Sequence, residues 1–81
     1  MAEITLQELN EIETRHLAAS PGPWRSFIEG RDHTSGDSFI QTQGDDIYLT
    51  GASQADQDFI AAARQDIPML LAEVRRLRAG G

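Results

Sequence analysis

Apolar residues at Leu6, Leu9, Ile12 and Leu17 recur at helical spacing near the start of the chain, with His16 at the edge of the stripe. Thr5 and Glu8 stand three apart just before this run, the spacing of a capping box, in which each side chain accepts from the other residue's backbone N–H. Pro21 and Pro23 cannot continue a helix, so the first one is expected over residues 6–19, with Glu3, Glu11 and Arg15 on its polar side.

The period then changes. Residues 24–29 (WRSFIE), 38–43 (SFIQTQ) and 46–50 (DIYLT) are rich in aromatic and β-branched side chains and are bounded by turn residues. Residues 44–46 (GDD) predict a tight hairpin between the second and third segments, whereas residues 30–37 form a longer connection. Alternation assigns two faces. One collects Trp24, Ile28, Ile40, Ile47 and Leu49; the other collects Phe27, Phe39 and Tyr48, with Arg25 beside them. Both carry large apolar groups, so the second face is expected to be covered by a helix or a partner chain.

Ser53 predicts the N-cap of a last helical region, with Asp56 in its electropositive first turn. Phe59, Ala63, Ile67, Leu70, Val74 and Leu77 follow as a near-heptad seam. Pro68 interrupts it, which predicts a kink or two helices over 54–65 and 67–78, the second capped by Asp66. The expected order is α-β-β-β-α-α. This is one α+β domain over residues 1–81, a three-stranded antiparallel meander flanked by an N-terminal helix and a Pro-kinked C-terminal helical region.

With 81 residues the core is small, and the absence of cysteine removes disulfides and thiolate zinc sites as supports. Oligomerisation is the remaining support, so a homodimer is expected. Its seam would use Phe59, Leu70, Leu71, Val74 and Leu77, the second sheet face, or both. The same residues serve equally to fill an intramolecular core.

The formal net charge of −6 argues against nonspecific nucleic-acid binding and against anionic membranes. The imbalance lies in residues 1–20 and 21–53, at −3 each, while residues 54–81 balance to zero. No basic stretch leads into an apolar core at the N-terminus, and no apolar run approaches the ~18 residues of a membrane span, so a cytoplasmic protein is expected.

The polar loop around residues 30–37 holds the candidate chemistry. Asp32, His33, Ser35 and Ser38 are the residue types of a nucleophilic relay, but neighbours in one loop rarely reach the geometry it needs, and no nucleophile elbow is present. Asp32, His33, Asp37, Asp45 and Asp46 could ligate a cation, yet their spacing matches neither a calcium loop nor a zinc motif. Asp45 and Asp46 fit turn chemistry. No catalytic residue, metal or cofactor is therefore assigned.

An anion or nucleotide site would use Arg25 and Arg31, which flank the loop, the amides of Thr34, Ser35 and Gly36, and the neighbouring Asp32 and His33, with Trp24, Phe27 and Tyr48 available to stack on a base. The plainer reading is a loop whose Asp32 and Thr34 satisfy their own backbone. His16 reads as a residue at the edge of the core. Arg75, Arg76 and Arg78 complement the helix C-terminus, and Gly80–Gly81 reads as its stop, with a ubiquitin-type conjugation tail as the sharper alternative.

PGPW at residues 21–24, shortly after an N-terminal helix, together with ADQDFIAAARQDIPMLLAEVRRL at residues 55–77, resembles small uncharacterised phage, prophage and bacterial proteins of the Ead-like kind. The resemblance spans roughly residues 9–77. It implies a context, an accessory or host-interaction role such as counter-defence or immunity, and supplies no catalytic residues. The expected function is non-catalytic binding to an unidentified protein partner, with a nucleotide-ligand binder or sponge as the alternative.

Overall fold

The computed structural model describes residues 3–33 and 36–80. Four elements run in order: α1 (Leu6–Ala18), β1 (Arg25–Phe27), β2 (Phe39–Gln41) and α2 (Gln54–Gly80). The fold is α+β. α1 begins where the capping box places it. The Glu8 amide donates to Thr5 Oγ1 at 3.1 Å, and the Thr5 amide donates to Glu8 Oε1 at 2.8 Å. Hydrogen bonding from the Thr5 amide, and then from its side chain, favours the Glu8 carboxylate and lowers its pKa. α2 opens on the same reciprocal pair, between Ser53 and Asp56.

β1 and β2 pair antiparallel, with Arg25 opposite Gln41, Ser26 opposite Ile40 and Phe27 opposite Phe39. The expected third strand is reduced to a single bridge, in which Ile40 and Ile47 exchange both backbone hydrogen bonds at 2.8 and 2.9 Å. Thr42 explains why pairing stops toward the turn. Its hydroxyl accepts from the Gly44 amide at 2.8 Å and donates to the Asp45 carbonyl at 2.7 Å, so side-chain bonding replaces ladder bonding there.

The C-terminal region also departs from expectation. One 27-residue helix runs through Pro68 in place of two helices, and Asp66 caps nothing because it lies inside it. Pro68 removes the N–H that would bond to the Arg64 carbonyl. The helix persists because its buried residues lie on both sides of the proline, Gln57 and Ala61 before it and Leu71 after it. The helix also continues through Gly80, two residues past the expected end at 78 and into the expected Gly80–Gly81 stop.

α2 is the spine. It packs on α1 and on both strands. The buried apolar residues are few: Leu9, Ile28, Ile40, Ala61 and Leu71. Ile40 is the only large side chain among the described residues that is fully enclosed. Arg75 ties α2 to α1 through Asn10 at 3.2 Å and Glu13 at 3.3 Å, and Arg78 donates to the Ile4 carbonyl.

Candidate functional site

The face of the sheet turned away from α2 carries an aromatic cluster. Phe27 and Phe39 sit directly opposite one another, which puts their rings on one side at 5.2 Å and nearly parallel. Tyr48 follows Ile47, the residue bridged to Ile40, so alternation turns its ring toward Phe39 at 5.8 Å. His33 joins from the loop, 5.8 Å from Phe39 and 6.3 Å from Phe27. The Arg25 guanidinium stands 4.9 Å from the Phe27 centroid, within cation–π range. The expected grouping of Phe27, Phe39, Tyr48 and Arg25 is therefore present. Phe27 and Phe39 are half-buried and Tyr48 is 59 % exposed, lining a pocket with Phe59 and Ile60 of α2, and Glu29, Asp37, Asp45 and Asp46 are exposed acids in the adjoining loops.

The opposite face is closed by Gln57. Its buried amide nitrogen lies 3.0 Å from Ser26 Oγ, 3.1 Å from the Phe27 carbonyl and 3.0 Å from the Phe39 carbonyl. A single side chain of α2 thus bonds to both strands.

The loop after β1 is internally bonded. Gly30 takes a left-handed φ of 81°, and the Ile28 carbonyl accepts from the amides of Arg31 and Asp32 at 3.0 and 2.9 Å. Asp32 Oδ2 accepts from the Ile28 amide at 2.9 Å. Arg31 bonds to the same Asp32 oxygen and makes a two-point pair with Asp58 of α2, at 2.8 and 3.0 Å. The hydrogen bonds from Arg31, joined by one from Ser26, hold the Asp58 carboxyl down to about 2 from its usual 3.8. Arg31 and the Ile28 amide likewise lower Asp32, and the two carboxylates raise Arg31. The guanidinium expected to meet an anion is thus already engaged by two carboxylates, and Asp32 satisfies its own backbone.

Trp24, next to Arg25 in the chain, is held between the segment after α1 and α2. Its indole N–H donates to the Ser20 carbonyl at 2.9 Å, an oxygen that also accepts from Arg64 Nε at 3.0 Å. Gln65 holds the Trp24 backbone at both ends, accepting from its amide at 2.7 Å and donating to its carbonyl at 3.2 Å. The ring lines a groove of about 390 Å³ between α1 and α2, with Ile12, His16, Ile60 and Ile67. His16 stands 3.5 Å from Arg64 in that groove, at the edge of the core as expected. Trp24 lines the α1–α2 groove, Arg25 stands over Phe27 and Arg31 is held by Asp32 and Asp58. Thr34 and Ser35 lie outside the described residues.

Among the described residues no three His, Cys, Asp or Glu side chains are grouped to hold a metal ion, and no helix is long and apolar enough to cross a membrane. The expected seam is divided. Leu71 is buried and Val74 half-buried where α1 brings Leu9 and Ile12 against α2, while Phe59, Leu70 and Leu77 are exposed. The residues that organise the fold and were missed in the sequence are Gln57, Asp58, Arg64 and Gln65. Gln57 shares a helical stripe with Ala61 and Leu71, which is the one pattern that could have marked it. No family model, curated protein or solved structure matches the chain.

Proposed function

We propose that this chain acts by binding a protein and not by turnover, as an accessory or host-interaction module of the phage-related kind, with counter-defence or immunity as the setting its resemblance suggests. The observation that carries the reading is the partly exposed Phe27–Phe39–Tyr48 face with exposed acids in the loops around it. Aromatic faces attract guanidinium groups, and carboxylates nearby add long-range attraction. Arg25 over Phe27 shows the contact within the chain itself. The partner class that fits is a basic, arginine-bearing protein surface, and the net charge of −6 favours its approach.

An arginine-rich peptide titrated by calorimetry at low salt tests the reading. Wild type is expected to bind it, and Tyr48→Ala to weaken binding about two- to fivefold, the scale of one exposed cation–π contact. Equal affinity for a glutamate-rich peptide, or indifference to Tyr48→Ala, would overturn it. The nucleotide alternative draws less support, since Arg31 is held by Asp32 and Asp58. A thermal-shift screen of cyclic and linear nucleotides addresses it directly, because a ligand that binds only the folded chain raises its stability by mass action.

A further inference from the structure

The described fold is longer and more exposed than its mass requires. Its radius of gyration is 15.5 Å, and its extents are 50 × 26 × 20 Å. A compact chain of this length has a radius near ~12 Å. The exposed surface is 5974 Å². A folded monomer of this mass exposes about 4,800 Å², so the excess is on the order of 1,200 Å² per chain.

Much of the uncovered apolar area lies along α2. Phe59 is 75 % exposed, Leu70 57 % and Leu77 60 %. With Ala63 they fall on one stripe at heptad spacing; Ala63 and Leu70 border the grooves between α2 and α1, and Phe59 and Leu77 lie at its ends. Asp66 and Glu73 share the stripe and leave its apolar part discontinuous.

The charges on α2 are polarised. Its first half, residues 54–67, has Asp56, Asp58 and Asp66 against Arg64, a net −2; its second half has Arg75, Arg76 and Arg78 against Glu73, a net +2. A parallel neighbour would set like against like. An antiparallel neighbour of the same sequence sets the acidic half against the basic half twice over, by symmetry.

We infer that a second copy of this chain covers the stripe, with the two α2 helices antiparallel and Phe59 of one copy beside Leu77 of the other. The excess of two copies together is roughly 2,400 Å², an upper bound on what this contact removes, and it reaches the range of obligate homodimers. The orientation also answers the overall charge: two chains of −6 repel as wholes, but the contacting helices attract end to end. Phe59 lines a pocket with Tyr48 of the aromatic face, whereas Leu77 lies 18 positions further along α2; loss of the dimer in Leu77→Glu with peptide binding retained therefore separates this inference from the binding reading above.

Light scattering on wild type is expected to give twice the 8.9 kDa chain mass, and a strict monomer at about 1 mM overturns the inference. Leu70→Glu and Leu77→Glu change exposed positions and are expected to give monomers with wild-type circular dichroism; a dimer that survives both overturns the assigned face. The chain has no cysteine, so single cysteines report orientation cleanly. Phe59→Cys mixed with Leu77→Cys is expected to cross-link through a short bis-maleimide, and neither variant alone, because equivalent positions would stand about 27 Å apart at ~1.5 Å per residue. Cross-linking of either variant with itself overturns the antiparallel arrangement.

Discussion

Arg31 and Asp58 form a two-point ion pair across 27 positions of sequence, with N–O distances of 2.8 and 3.0 Å, joining the loop after β1 to the first turns of α2. The pair gives the polar loop a structural purpose. Arg31 holds Asp32 with the same guanidinium, and Asp32 in turn accepts the Ile28 amide.

Acid should loosen this connection. The folded Asp58 carboxyl titrates at about 2, below its usual 3.8, and Asp32 is lowered as well. The unfolded chain therefore binds these protons first as pH falls. Their contribution is fully present above pH ~4 and is lost as pH drops toward ~2. Urea unfolding measured across that window should show stability declining in wild type and a shallower decline in Asp58→Asn. Identical slopes would mean that the pair is screened out by its exposure.

Gln57 is the polar keystone. Replacing it with leucine leaves the Phe27 and Phe39 carbonyls without their α2 donor, and an unsatisfied buried acceptor costs about 1–3 kcal/mol. Gln57→Leu should lower the urea midpoint accordingly, and unchanged stability would show that water replaces the amide.

Ile40 offers the most sensitive truncation site, since it is 0 % exposed. Ile40→Val should cost about 0.5–1.5 kcal/mol and Ile40→Ala about 2–5 kcal/mol. Leu71→Ala should fall in a similar range as the residue joining α1 to α2. A loss below ~1 kcal/mol for Ile40→Ala, measured by denaturant unfolding, would mean that the sheet collapses onto the vacated space.

Pro68→Ala should stabilise the chain. Proline in a helix interior is about 3 kcal/mol worse than alanine, and the replacement restores a donor for the Arg64 carbonyl. Some packing of the ring and some restriction of the unfolded chain are lost, so a gain of about 1–2 kcal/mol is expected. Destabilisation on thermal melting would show that the ring's contacts outweigh the missing hydrogen bond.

Local signals carried much of the architecture. The two capping pairs, Thr5 with Glu8 and Ser53 with Asp56, are formed as their spacing predicts, because such bonds span three residues and need no distant partner. The aromatic face was legible for a similar reason: alternation along a strand fixes which side Phe27, Phe39 and Tyr48 take. The proline rule misled, since it describes an isolated helix, whereas residues on both sides of Pro68 are held by packing.

The chain's own pattern determined where helices start, which strand residues share a face, and that the core would be small. Only the tertiary structure decided what the charged and amide groups do. Arg31 found Asp58, Gln57 found both strands and Gln65 found the Trp24 backbone across separations that no local spacing encodes. Position along the chain shows that such groups can bond; only the path of α2 past the sheet selects the partner, because hydrogen bonds demand contact within about 3 Å.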